Sequence, residues 1–144
     1  MVRFLISIVI AILIAGLAYR ARALCRGGAL TAAVLGSLIL GLGGPSWGVI
    51  LLSFFISASY LSNRFKQQKS SLSAYASKGS QRDAGQVLAN GAVAGCFVLL
   101  FSLISNLAPD NPILPALWIG FAASLAGANA DTWATELGWL NRRD

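Results

Sequence analysis

Long apolar runs, broken by short charged connections, constrain this chain more than anything else in it. Five can be read, over 4–19, 28–42, 47–61, 87–104 and 114–133. In hydrocarbon a backbone must satisfy its own hydrogen bonds, so such runs form helices; five open strands would leave sheet edges bare. Some fall short of the ~20 residues of a comfortable span, and Gly, Ser and Thr at their ends extend them. Only 11% of the residues are charged, against roughly a quarter in soluble domains, and the mean hydropathy is +0.69. The expected fold is an all-α, multi-pass integral membrane protein. It has five transmembrane helices in a single domain over 1–144.

The connections alternate in charge. Arg20, Arg22 and Arg26 lie between the first two runs, 43–46 is uncharged, and the long connection 62–86 carries Arg64, Lys66, Lys69, Lys78 and Arg82. The connection 105–112 has only Asp110, and the tail has Arg142 and Arg143. Positive-inside bias places the first, third and last of these regions in the cytoplasm and the N-terminus outside. Arg3 is the dissenting charge. The net charge of +6 therefore reads as topology and lipid headgroups, not as a nucleic-acid surface, since no polar domain presents it. Arg3 followed by the run 4–18 looks like a secretory signal. The Arg-rich stretch after it lacks a small-residue cleavage pattern, however, and four more runs follow, so it is read as a retained helix.

Histidine is absent, which excludes imidazole acid–base catalysis and imidazole metal ligands. Cys25 and Cys96 are isolated and give no metal-ligand spacing or disulfide framework. Small residues four apart, Ala29/Ala33/Ser37 and Ala32/Gly36 on the second helix and Gly91/Gly95 on the fourth, suit close helix packing in lipid.

Two places carry chemistry. The fifth run ends in Asp131 and Glu136, with Asn129, Thr132 and Thr135 around them. A carboxylate in hydrocarbon costs about 2.5–3.5 kcal/mol even on the lenient insertion scale, so two suggest a site for a cation, a proton or a cation-carrying ligand. At 100° per residue they stand about 140° apart around an ideal helix. Asp131 shares a face with Ser124 and Thr135, and Glu136 shares another with Asn129 and Thr132. Asp131 is expected to lie deeper, while Glu136 also reads as a side chain snorkelling to the interface.

The second place is the start of the fourth helix, where Asp83, Gln86 and Asn90 share a face and Lys78 and Arg82 precede them. Backbone N–H groups at a helix start already favour an anion. The segment reads as a phosphate-and-metal edge or, equally, as a helix cap with interfacial charges. It is not a P-loop, because that motif's spacing is absent. Ser53, Ser57, Tyr60 and Arg64 form a polar stripe on the third helix, and the Ser-rich stretch 70–80 reads as a flexible loop.

Three blocks carry a family resemblance: Ala58-Ser-Tyr-Leu-Ser-Asn-Arg-Phe-Lys66, Lys78-Gly-Ser-Gln-Arg-Asp-Ala-Gly-Gln-Val-Leu-Ala-Asn-Gly91 and Gly127-Ala-Asn-Ala-Asp-Thr-Trp-Ala-Thr-Glu-Leu-Gly138. The chain resembles the integral membrane proteins of domain-of-unknown-function family 92, which include plant phytyl-phosphate kinase. The resemblance implies a nucleoside-triphosphate-dependent kinase, CTP being the expected donor, acting on an isoprenoid alcohol or its monophosphate at the cytoplasmic face. Mg²⁺ is the implied cofactor. Asp131 and Glu136 are then the catalytic carboxylates, metal-binding together with Asp83, and Lys78, Arg82 and Asn90 hold phosphate or nucleotide. Such chemistry asks the protein mainly to position reactants and neutralise charge. The family continues beyond this point with a Gly-Thr-Ser-Gly-Gly-type segment, so an N-terminal portion or truncated member is expected. The residues by themselves also accommodate an ion- or proton-coupled carrier using Asp131, or a non-catalytic membrane subunit. The expected partners are a membrane lipid or isoprenoid substrate, with a homo-oligomer or a complementing chain left open.

Overall fold

The apolar runs become helices, and local chemistry sets where each one begins and stops. The computed structural model describes residues 2–64 and 81–138. Helix α1 spans Val2–Arg20 and α2 spans Arg26–Leu38, the latter continued by a π-helical turn, Ile39–Gly43. Gly44, at φ 94°, breaks the chain out of that turn, a conformation glycine reaches without a Cβ penalty. Pro45 then opens α3 (Pro45–Arg64), where its missing N–H costs nothing. Helix α4 spans Ala84–Leu107 and α5 spans Leu114–Gly138. An Asx turn, with Ile113 N donating to Asn111 Oδ1 at 3.0 Å, leads into α5.

Among the described residues the protein is all-helical, and it is an integral membrane protein. Four helices are long and apolar enough to cross a membrane: α1, α2 with its π turn (Arg26–Gly43), α3 and α4. The fifth is long enough, at 25 residues, but Asn129, Asp131, Thr132, Thr135 and Glu136 dilute the apolar character of its second half. The helices overrun the apolar runs. Ser62 to Arg64 belong to α3, Ala84 to Gln86 to α4, and the last turns of α5 reach Gly138, because backbone hydrogen bonding does not stop where hydropathy falls. Lys66, Lys69, Lys78, Arg142, Arg143 and the Ser-rich stretch lie outside the described residues.

Helix α2 lies between α1 and α4, α5 packs on α4 and α3, and the π turn touches α1, α3 and α4. Ile39 of that turn joins Trp47, Phe54 and Ala58 of α3, Ala94 and Val98 of α4, and Phe121 and Leu125 of α5 in one core. The Trp47 ring is tilted against Phe101 and Phe121, with centroids 4.9 and 4.5 Å away. This dense packing sits toward the start of α3, away from the arginines. Arg20, Arg26, Arg64 and Arg82 gather at the other, basic end. Arg3 packs instead against Gly44, where an added Cβ would meet its guanidinium. A cation there complements the carbonyl end of α2, which accounts locally for the one charge that broke the alternation. Leu5, Val9, Leu13 and Leu17 of α1 and Leu99, Leu103 and Leu107 of α4 are exposed, as a lipid-facing surface requires.

Candidate functional site

At the basic end, two helix starts are locked side by side. Arg82 N donates to Ala23 O at 3.0 Å, and Cys25 N donates to Arg82 O at 3.1 Å. These bonds pair Leu24 with Arg82 as an isolated parallel bridge, with Leu24 only 1% exposed. Cys25 then caps α2, its Sγ accepting from Gly28 N at 3.4 Å. Asp83 caps α4 through a full capping box: Gln86 N donates to Asp83 Oδ1 at 2.9 Å, and Asp83 N donates to Gln86 Oε1 at 3.1 Å. Gly28 permits the approach, since any Cβ there would collide with the Arg82 carbonyl oxygen. The positive ends of α2 and α4 thus flank Arg82.

The side chain of Arg82 is half-buried and its guanidinium lies 6.0 Å from the Phe55 ring centroid, a cation–π distance. Burial lowers its pKa, and the negative charge of Glu136 opposes that shift. Glu136 is 6% exposed, and its Oε1 accepts from Ser62 Oγ at 2.9 Å. Deeper along the same seam, Ser57 Oγ donates to Asn129 Oδ1 at 3.0 Å. One face of α5, carrying Asn129 and Glu136, is therefore turned to α3.

Between α1, α2, α3 and the start of α4 lies an open cleft of about 280 Å³. Ile14, Leu35, Leu52 and Phe55 are among its walls, and Arg82 and Asn90 are its polar lining residues. It runs along α3 from Pro45 to Phe55, roughly 15 Å at 1.5 Å per residue. Among the described residues the lining is apolar along its length, with one cation, Arg82, at its basic end.

The expected site residues are only partly brought together. Arg82 and Glu136, far apart in sequence, interact. Asn90 lines the cleft. Asp83 serves the α4 cap with Oδ1. Asp131 is exposed on α5 and does not join Glu136, which is the enclosed carboxylate of the two. The cause is the angular separation of the two residues combined with the position of α5, which presents one face to α3 and another outward. No cluster of three metal-ligating residues forms among the described residues. Of the α3 stripe, Ser57 reaches α5, while Ser53, Tyr60 and Arg64 are exposed. Ser62 and Phe55 were not anticipated. Ser62 is a polar residue at the fringe of an apolar run, a weak signal by itself, and the role of Phe55 exists only through the fold.

Two relatives align with nearly all of the chain. Protein PGR of Arabidopsis thaliana is 29% identical over 148 residues, 96% of this chain and 50% of the relative. An uncharacterized membrane protein of Methanocaldococcus jannaschii is 29% identical over 141 residues, 98% of this chain and 54% of the relative. The chain thus spans about half the length of the curated relatives it matches. No solved structure matches it. The family model of "Integral membrane protein DUF92" matches residues 9–144; this chain, with its membrane helices and its basic end built around the second of the three sequence blocks, belongs to that family.

Proposed function

We propose that the protein takes part in phosphoryl transfer to an isoprenoid alcohol or its monophosphate, with CTP as donor, at the basic end of the bundle on the cytoplasmic side. The observation that carries this reading is the cleft: its walls are apolar along its length, and Arg82 stands at the end where an anionic head would emerge. The apolar chain would lie between α1 and α3, and the guanidinium would bind phosphate oxygens by charge-assisted hydrogen bonds. The bridge to Ala23 and Cys25 holds the Arg82 backbone in place, so little ordering entropy is lost on binding. Lys78, outside the described residues, would add a second cation.

A Mg²⁺ ion usually takes one or two protein carboxylates and completes its shell with water and phosphate oxygens. No three such ligands cluster among the described residues, so a Mg²⁺ ion here would have to bind in that sparse mode. Glu136, held by Ser62 and close to Arg82, is the carboxylate that would face it; Asp83 would contribute only beside its capping role. When bound, the ion would neutralise charge on the transferring phosphoryl group.

The test is an assay of Mg²⁺-dependent transfer from CTP to an isoprenoid alcohol or monophosphate, in membranes of the cells that make the protein. Arg82→Ala should weaken binding of the lipid phosphate by roughly ten- to a hundredfold, the equivalent of about 1.5–3 kcal/mol. Glu136→Gln keeps an acceptor for Ser62 but removes the charge, and should lower transfer by roughly a hundredfold. Full Mg²⁺-dependent activity in both variants would overturn the reading.

A further inference from the structure

A hydroxyl on a helix can bond back to a carbonyl of the preceding turn, and most of those here do. Ser37 Oγ donates to Ala33 O at 2.7 Å, Ser53 Oγ to Val49 O at 2.8 Å and Thr132 Oγ1 to Ala128 O at 2.9 Å. Ser59 of α3 departs from this pattern. Its Oγ is buried and has no hydrogen-bond partner among the described residues. A buried hydroxyl left in that state carries its full desolvation cost, and alanine at the same place would avoid it. The position of Ser59 shows what could satisfy it.

At 100° per residue, Ser59 and Ser62 both fall within about 40° of Phe55 around the α3 axis, so the three share one face at successive turns. At the inner end of that face the Arg82 guanidinium lies 6.0 Å from the Phe55 ring centroid. At the outer end Ser62 Oγ donates to Glu136 Oε1 at 2.9 Å. The Ser59 hydroxyl stands between these two, roughly 6 Å along the axis from Phe55. The neighbouring guanidinium favours an anion there over a metal ion, and a phosphate oxygen accepts from both kinds of donor. We infer that Ser59 donates its hydroxyl hydrogen to an oxygen of the phosphate that Arg82 binds. The phosphate is then gripped from α3 as well as from the start of α4. This rests on the phosphate-binding reading of Arg82 given above, and it explains why a hydroxyl is kept where it weakens the ligand-free fold.

The experiment titrates the protein in lipid nanodiscs with dodecyl phosphate and with dodecanol, probes that share an apolar chain and differ in the phosphate. Ser59→Ala should weaken dodecyl phosphate binding about tenfold, as loss of a hydrogen bond to a charged group does, and leave dodecanol binding unchanged. Without ligand it should melt at or a few degrees above the wild-type temperature, because it deletes a buried group that lacks a partner. Ser53→Ala removes a hydroxyl already bonded to Val49 O and should change neither titration. Unchanged phosphate affinity in Ser59→Ala, equal weakening of both probes, or a lowered ligand-free melting temperature would overturn the inference. The last of these would mean that the hydroxyl is bonded within the protein itself. Arg82→Ala separates the two readings: if it alone weakens dodecyl phosphate, the role of Ser59 falls and that of Arg82 stands, and if neither variant does, both fall.

Discussion

Two of the seams of helix α2, those against α4 and α3, are built in opposite ways. Against α4 it is closed: Leu35 fits the hollow at Gly91 and Gly95, and Gly28 meets the Arg82 carbonyl with no room for a side chain. Against α3 it is open: contact runs through the π turn, and below that turn lies the cleft of about 280 Å³. The π turn is the pivot between the two. It buries Ile39 in the core and carries the chain into α3, while the straight part of α2 stays with α4. Close packing of small residues rigidifies one side of a membrane helix, and a missing neighbour on the other leaves space for a ligand. Rigidity and vacancy are thus placed on the same element, one supporting the other.

Three substitutions would break or sharpen this contrast. The largest effect belongs to Gly28→Val. Its branched side chain would strike backbone, which cannot rotate away, so the variant should lose at least about 3 kcal/mol, the upper end of overpacking costs. Folded yield and thermal unfolding in detergent measure it, and a wild-type melting curve would show that the bridge can be displaced cheaply. Next comes Ala32→Phe, which fills the open seam. It should exclude an isoprenoid phosphate, weakening its binding tenfold or more, while stability holds or rises by about 0.5–2 kcal/mol as cavity-filling changes do. Binding and melting measured on one preparation would separate the two, and loss of both would mean that the cleft is not a vacancy. The smallest effect is Gly95→Ala. Its Cβ would lie 3.0 Å from Leu35 Cδ1, a side-chain end that can shift, and helix propensity returns roughly 1 kcal/mol. The expected melting change is near zero, and a drop like that of Gly28→Val would show the whole seam to be intolerant.

Much of the fold was legible because hydropathy and charge act locally. Each apolar run became a helix, Gly91 and Gly95 did serve close packing, and Asp83 with Gln86 formed the cap that their spacing allowed. The helix ends were less legible, since Ser62 to Arg64 continue α3 on backbone hydrogen bonds rather than on hydropathy. The candidate site divided along the same line. Arg82 stood out as a cation at a helix start, but nothing near it in sequence announced Glu136, Phe55 or the bridge to Ala23 and Cys25. Gly28 entered only as the first residue of the second apolar run, and the close approach that requires it comes from Arg82, distant in sequence.

The two carboxylates of α5 draw the boundary most sharply. The sequence by itself determined that Asp131 and Glu136 lie on different sides of one helix, because 3.6 residues per turn is a property of the backbone. It also determined that the chain is a bundle of membrane helices with its arginines mostly at one end, because burying charge in hydrocarbon is costly wherever it occurs. Only the tertiary structure decided which carboxylate turns inward. That choice depends on α3 being the neighbour of α5 and on Ser57 and Ser62 offering hydroxyls to Asn129 and Glu136, and a helix cannot specify its own neighbour through its period alone.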